Sequence, residues 1–270
     1  RPELLGDRRA TDDRTALGFH EKASGRPDLG LLVAEGPCSA AGLFTTNVFA
    51  AAPVRLSRAL LEGGTAQAVI VNSGNANCCV GKKEIKDARE ITDAISAKLG
   101  IKKDLMLMAS TGIIGRPLPV GKIKNGLKAL VDDLSGSNGT GFAKAIMTTD
   151  TVHKEIAVAI NIKGKEVRIA GAVKGAGMIC PDMATMLAFF TTDALIEKEA
   201  LRQAFKESVY DSFNKITIDG DMSTNDSAII FANGLAGNSI IKKGAAGYAA
   251  FLNAVKFAAK ELSRRIVLDG

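Results

Sequence analysis

Two hydrophobic periods divide this chain. Continuous apolar runs predict buried strands at 31–33, 50–56, 66–72 (AQAVIVN) and 105–110 (LMLMAS). Two further runs, 155–162 and 166–173, flank Lys163-Gly164-Lys165 and predict a hairpin. A period near 3.6 predicts helices over 84–99, 120–134, 142–147, 200–213 and 245–267. Gly100 closes the first of these as a C′ residue. Strands interleaved with helices indicate an α/β fold, and the hairpin argues against a purely parallel sheet. There is no internal repeat and no long low-complexity linker.

One apolar run breaks the pattern. MICPDMATMLAFF, residues 178–190, follows a Lys-Gly-Ala-Gly turn and carries a Cys-Pro-Asp step and a lone Thr185. On the residues alone, Thr185 reads as a β-branched filler of a core strand.

Composition narrows the chemistry. At 270 residues the chain can bury a large core. The net charge of +6 is spread out and lacks aromatic interleaving, which disfavours nucleic acid. No apolar run reaches the length of a membrane span, and no signal peptide is visible. Cys38, Cys78, Cys79 and Cys180 form no C-x-x-C pair and read as reduced structural thiols of a cytoplasmic protein. The only histidines are His20 and His153, so a Ser-His-Asp or Cys-His site is poorly supplied. His153, beside Lys154 at a strand start, reads as a surface residue. No phosphate loop or H-E-x-x-H occurs, and the third glycine of a dinucleotide loop is replaced by Cys180. The Asp-rich run at 219–226 lacks the sixth-position Gly of a calcium loop and reads as a hydrogen-bonded turn. No metal or organic cofactor is expected. An enzyme with these means can use a hydroxyl nucleophile whose base is its own α-amino group. For Thr185 that requires the chain to cut itself before this residue.

Several stretches, in order, carry a resemblance that favours this second account: AAGLFTTNVFAAAPV, VNSGNAN, STGIIGRPLP, AIMTTDT, KGAGMICPDMATMLAFF, SFNKITIDGDMSTNDS and RRIVLDG. From about residue 19 to the end the chain resembles the ornithine acetyltransferases, also called glutamate N-acetyltransferases, of arginine biosynthesis. The resemblance implies a DmpA-type layered α/β sandwich with mixed sheets and N-terminal-nucleophile chemistry. It implies autoproteolysis between Ala184 and Thr185, giving an α chain (1–184) and a β chain from 185, of which 185–270 would be the N-terminal part. It makes Thr185 the nucleophile, Thr111 and Gly112 the oxyanion hole, and Lys174 a substrate-binding residue. The cluster Thr148, Thr149 and Thr151 matches another substrate contact, for which Thr148 and Thr151 are the candidates. Asn72, Ser73 and Asn75 either shape the site or simply form a turn.

The implied reaction moves acetyl from N2-acetylornithine to glutamate through an acetyl-threonine; some members also use acetyl-CoA. Paired α and β chains would assemble as (αβ)2 or larger, without nucleic acid or membrane. The chain departs from the family at Asp182, where Asn is usual, and at its end: the substrate-binding glutamate and later site residues would follow Gly270. An aminopeptidase or amidase on the same scaffold, and an inactive truncated fragment, are the alternatives.

Overall fold

A computed structural model describes residues 27–177 and 186–270 in full, and the backbone of 3–4 and 15–21. Residues 178–185, with Ala184 and Thr185, lie outside the described residues, as do the side chain of His20 and Cys180. Most of the continuous apolar runs become strands of one sheet. These are β3 (Pro27–Phe44), β4 (Thr65–Asn75), β5 (Met106–Ile113), β6 (Lys154–Ile162), β7 (Lys165–Lys174), β8 (Leu187–Thr192) and β9 (Ser227–Ala232). With β1 (Glu3–Leu4) and β2 (Thr15–Glu21) they form a nine-stranded sheet in the order β1-β6-β7-β8-β9-β3-β4-β5, β2 pairing with β3. The pairs β4–β5 and β8–β9 are parallel and the rest antiparallel, so the sheet is mixed. The expected hairpin is present. Lys163 and Gly164, both at positive φ, make its two-residue turn.

The long β3 makes this sheet a sandwich. Its register shifts between Val33 and Cys38, where Glu35-Gly36-Pro37 loops out. Proline offers no N–H to a ladder, so the strand is interrupted there and can turn. Before the bulge β3 pairs with β2 and β4; after it, Cys38 and Ser39 still meet β4 while Ser39 to Phe44 pair with β9. The two halves of the sheet then share an inner core. Val69, Val71 and Leu107 from one half join Leu187, Phe189, Ile229 and Phe231 from the other. Phe142 and Phe189 meet there edge to face, 5.4 Å apart.

Period-2 alternation sends the neighbouring residues outward to two further cores. Ala68, Ile70, Met106 and Met108 pack under helices α1 (Ala52–Leu60), α2 (Lys83–Leu99) and α3 (Val120–Asp132). Val158, Ile169, Phe190 and Ile230 pack under α5 (Lys198–Tyr210) and α6 (Tyr248–Asp269). A short α4 (Gly139–Ala145) delivers Phe142 to the inner layer. The expected layered α/β sandwich is thus observed, as one continuous sheet bent at β3. Strands β8 and β9 sit inside it, between β7 and β3.

Three pattern-based expectations change. Residues 50–56, read as a strand, mostly belong to α1. Pro53 sits in its first turn, where proline's fixed φ suits a helix and its missing N–H costs nothing. Ser57 locks that helix to β5, donating to the Met108 carbonyl at 2.7 Å and accepting its amide at 2.9 Å. Ser227–Ala232, unassigned from the pattern, is a strand buried on both faces, as is usual for a central strand. Thr15–Glu21, also unassigned, pairs along the first half of β3.

Candidate functional site

Register brings several strand ends to one edge of the sandwich. Lys174, last of β7, pairs with Leu187, first of β8; Leu187 pairs with Ser227, first of β9. The ends of β4 and β5 meet at Gly74 and Gly112. Between them opens a cleft of about 1170 Å³, room for a small-molecule ligand. Thr111, Gly112, Thr148, Thr151 and Lys174, the described site candidates, all line it. Thr185 lies outside the described residues, one peptide bond before Met186.

Gly112 is required by geometry. Its φ is +130°, and a Cβ there would stand 2.3 Å from the backbone carbon of Gly74. The two strand ends can touch only because neither residue carries a side chain. This turn is also held from beneath. Ser110 donates to Asn72 Oδ1 at 2.5 Å, and Asn72 donates to the Asn75 carbonyl at 2.8 Å. Asn75 in turn bonds the carbonyls of Arg116 and Pro117. Asn72 and Asn75 therefore build the turn, while Ser73 lines the cleft.

Two residues that the sequence did not single out complete the frame. Asn225 Nδ2 donates to the carbonyls of Ser110 (2.8 Å) and Ala76 (2.7 Å), clamping both turns. Asp226 accepts the Met186 amide at 3.1 Å, so adjacent residues of one loop grip the turn that follows Ser110 and the start of β8. Burial pushes the Asp226 carboxyl well above the usual range, despite Ser223, the Met186 amide and Lys174. The 219–226 run is indeed a hydrogen-bonded loop. Thr45 and Asn47 hold the carbonyls of Ser223 and Met222.

Across the cleft, Lys174 is 3% exposed and donates to Thr148 Oγ1 at 3.1 Å. Burial lowers its pKa, against the opposing pull of Asp150 and Asp226. Asp150 organises this side, accepting from the amides of Gly175 (2.7 Å) and Thr148 (3.1 Å) and from Lys154 Nζ (2.7 Å). Burial alone would raise the Asp150 carboxyl; these bonds outweigh it and hold it below its ordinary value. Thr151 donates through both amide and hydroxyl to Asp269, at the end of α6. His153 is at the cleft wall, partly exposed, 3.5 Å from Glu155.

Two buried thiols, Cys38 and Cys78, offer no competing nucleophile. Burial pushes Cys38 up to about 12 and Cys78 up to about 11, so both stay protonated. Among the described residues, no cluster of three or more His, Cys, Asp or Glu could hold a metal ion. No helix among them is long and apolar enough to cross a membrane.

The sequence model of the ArgJ family matches residues 13–270. The chain belongs to the ArgJ family. An "Arginine biosynthesis bifunctional protein ArgJ" from Symbiobacterium thermophilum is 48% identical over 247 residues, 92% of this chain and 61% of that protein. The chain thus spans about six-tenths of the length of the curated ArgJ relatives it matches. A solved structure described as ornithine acetyltransferase complexed with ornithine, from Mycobacterium tuberculosis, is 34% identical with a TM-score of 0.60. It covers 67% of this chain and 98% of its own. An L-aminopeptidase/D-Ala-esterase/amidase from Ochrobactrum anthropi, described as a variant of the Ntn hydrolase fold, is 12% identical with a TM-score of 0.53. It covers 94% of this chain and 85% of its own, and shows likeness of fold alone.

Proposed function

We propose that the protein containing this chain is a self-cleaving glutamate N-acetyltransferase that moves acetyl from N2-acetylornithine to glutamate in arginine biosynthesis. The cleft carries this reading. A glycine-dependent turn stands beside a buried lysine, at the edge where β8 begins two residues after Thr185. Family membership supports it, as do the names of the ArgJ relative and of the ornithine-bound structure. A length agrees as well. The 67% of this chain's 270 residues that fill 98% of the solved chain imply a polypeptide of about 185 residues. That is the size of 1–184.

In the proposed maturation, the Thr185 hydroxyl adds to the Ala184 carbonyl and the C–N bond breaks. Acyl passes to oxygen and the threonine nitrogen becomes an amine. Water then hydrolyses the ester, freeing hydroxyl and α-amine. That amine, with a reference pKa of about 7.7–8.0, accepts the hydroxyl proton when Thr185 attacks the acetyl carbonyl. Thr111 and the Gly112 amide stabilise the oxyanion; such donors are worth about 2.7–4 kcal/mol. Ornithine departs with the proton, and glutamate's amine takes the acetyl. Lys174, Thr148 and Thr151 hold substrate. Because β8 and β9 lie inside the sheet, ladder bonds to β7 and β3 would keep the two pieces together after cleavage. The same proposal makes the assembly (αβ)2 or larger and the compartment cytoplasmic.

Intact mass and N-terminal sequencing of the full-length protein, beside Thr185→Ala, test the maturation. Two pieces are expected, the second starting at Thr185, and none in the variant. Transfer is tested by adding glutamate to the acetylornithine-loaded enzyme. N-acetylglutamate is expected; release of acetate alone would indicate the amidase alternative. Undiminished transfer by Thr185→Ala would overturn the mechanism.

A further inference from the structure

Beneath the cleft lies a charged group that the proposed reaction does not use. The side chain of Lys154 is wholly buried between two carboxylates, Asp150 Oδ1 at 2.7 Å and Asp269 Oδ2 at 2.5 Å. A buried ammonium is expensive unless paired, so this arrangement needs both acids or a strong reason for one. Asp269 ends α6, where the helix dipole is unfavourable to an anion. Lys154 offsets that, and ties the last turn of α6 to the start of β6.

Its effect on Asp150 reaches the cleft. Asp150 is close enough to Lys174 to pull on its charge. Yet Oδ1 is taken by Lys154 and the Gly175 amide, and Oδ2 by the Thr148 amide. Lys174 is left with one partner among the described residues, the Thr148 hydroxyl. An ammonium has three N–H bonds, so two have no partner among the described residues, on a nearly buried cation at the cleft wall.

We propose that Lys154 is a positioning residue for substrate affinity: by claiming Asp150 and Asp269 it keeps Asp150 from pairing with Lys174, reserving the Lys174 ammonium for a substrate carboxylate. The inference rests on the functional reading above, in which that carboxylate belongs to glutamate or acetylornithine. Neutralising Lys154 leaves two carboxylates and one lysine around the site. Lys174 then turns to Asp150, and an incoming anion meets added negative charge.

The experiment compares full-length wild type, Lys154→Met, Asp150→Asn and the double variant. Lys154→Met is expected to raise KM for glutamate at least ~10-fold, since charges this close interact strongly even at an effective dielectric near 20. Its kcat should stay within about 3-fold and its self-cleavage should be intact. The double variant, which removes both charges, should return KM toward wild type. An unchanged KM in Lys154→Met, a fall confined to kcat, or a double variant no better than the single would overturn the proposal. If Lys154→Met does not fold, Asp150→Asn reads the same idea from the other side. Lys154 already holds this acid off Lys174, so its removal should leave KM within about 3-fold of wild type, and any larger change would overturn the proposal. Calorimetric titration with glutamate, without acetyl donor, separates the two claims. Wild type that binds glutamate but transfers no acetyl refutes the functional reading and leaves the Lys154 effect measurable. Wild type that binds neither glutamate nor, in a parallel titration, ornithine refutes both.

Discussion

The contact between Gly112 and Gly74 makes a quantitative claim about one methyl group. In Gly112→Ala the new Cβ would lie 2.3 Å from the Gly74 carbon, 2.5 Å from the Asn75 nitrogen and 2.6 Å from the Gly74 Cα. All three are backbone atoms, so no side chain can rotate away, and the ends of β4 and β5 must separate. Overpacking of this kind costs about 1–3 kcal/mol. The φ of +130° adds about 1–3 kcal/mol of strain for an L residue. Together these give roughly 2–6 kcal/mol, or a Tm lower by roughly 4–24 °C for a chain of this size. Two controls isolate the terms. Gly81 has a φ of +81° but open space around it, so Gly81→Ala should lose only about 1 kcal/mol. Gly121 lies in α3 with open space and no positive φ, so Gly121→Ala should gain about 0.4–1 kcal/mol. Thermal unfolding followed by circular dichroism, at one scan rate, ranks all three. A Gly112→Ala protein that melts no lower than Gly81→Ala would show that the strand ends do not touch as described.

Three further outcomes are expected. Ser57→Ala should cost about 1–3 kcal/mol, because it strands both the amide and the carbonyl of Met108 inside the core; denaturant unfolding measures it. Asn225→Ala should cost a similar ~1–3 kcal/mol by leaving the Ser110 and Ala76 carbonyls unpaired, and should lower kcat more than it raises KM. A change in KM alone would contradict the clamp on the Thr111–Gly112 turn. Asp226 sets a pH dependence. Its carboxyl is raised in the fold, so the native state binds more protons than the unfolded chain above the ordinary carboxylate pKa of about 3.9. Stability from this group is therefore full below that pH and is lost as pH rises toward the raised native value. Asp226→Asn removes the loss, so its Tm advantage over wild type should widen from about pH 4 upward. A gap that stays constant with pH would count against a buried neutral Asp226.

The sequence by itself determined the parts whose signal is local. Buried strands showed as unbroken apolar runs, α2 and α3 as a 3.6-residue period, and the hairpin as two runs around Lys163-Gly164. Thr111, Gly112, Thr148, Thr151 and Lys174 were legible because they sit in long, unusual stretches, and the fold brings all five to one cleft. What the sequence could not show depends on partners far away in the chain. α1 looked like a strand because its buried Ala and Val residues face strands and helices on one side, which pattern alone does not separate from a sheet. β9 is an equally unbroken apolar run, but it is short and follows the Asp-rich loop; only its pairing with β3 and β8 makes it a central strand. Asn225 and Asp226 looked like turn residues. Only folding sets one against Ser110, 115 positions away, and the other against Met186, 40 positions away. Lys154 carried no assignment in the sequence beyond standing beside His153; only α6, closing over it, places Asp269 on its ammonium. The physical reason is the same in each case. Hydrophobic period and turn chemistry are set within a few residues, whereas the charge on a buried group is set by whichever residues the tertiary fold packs around it.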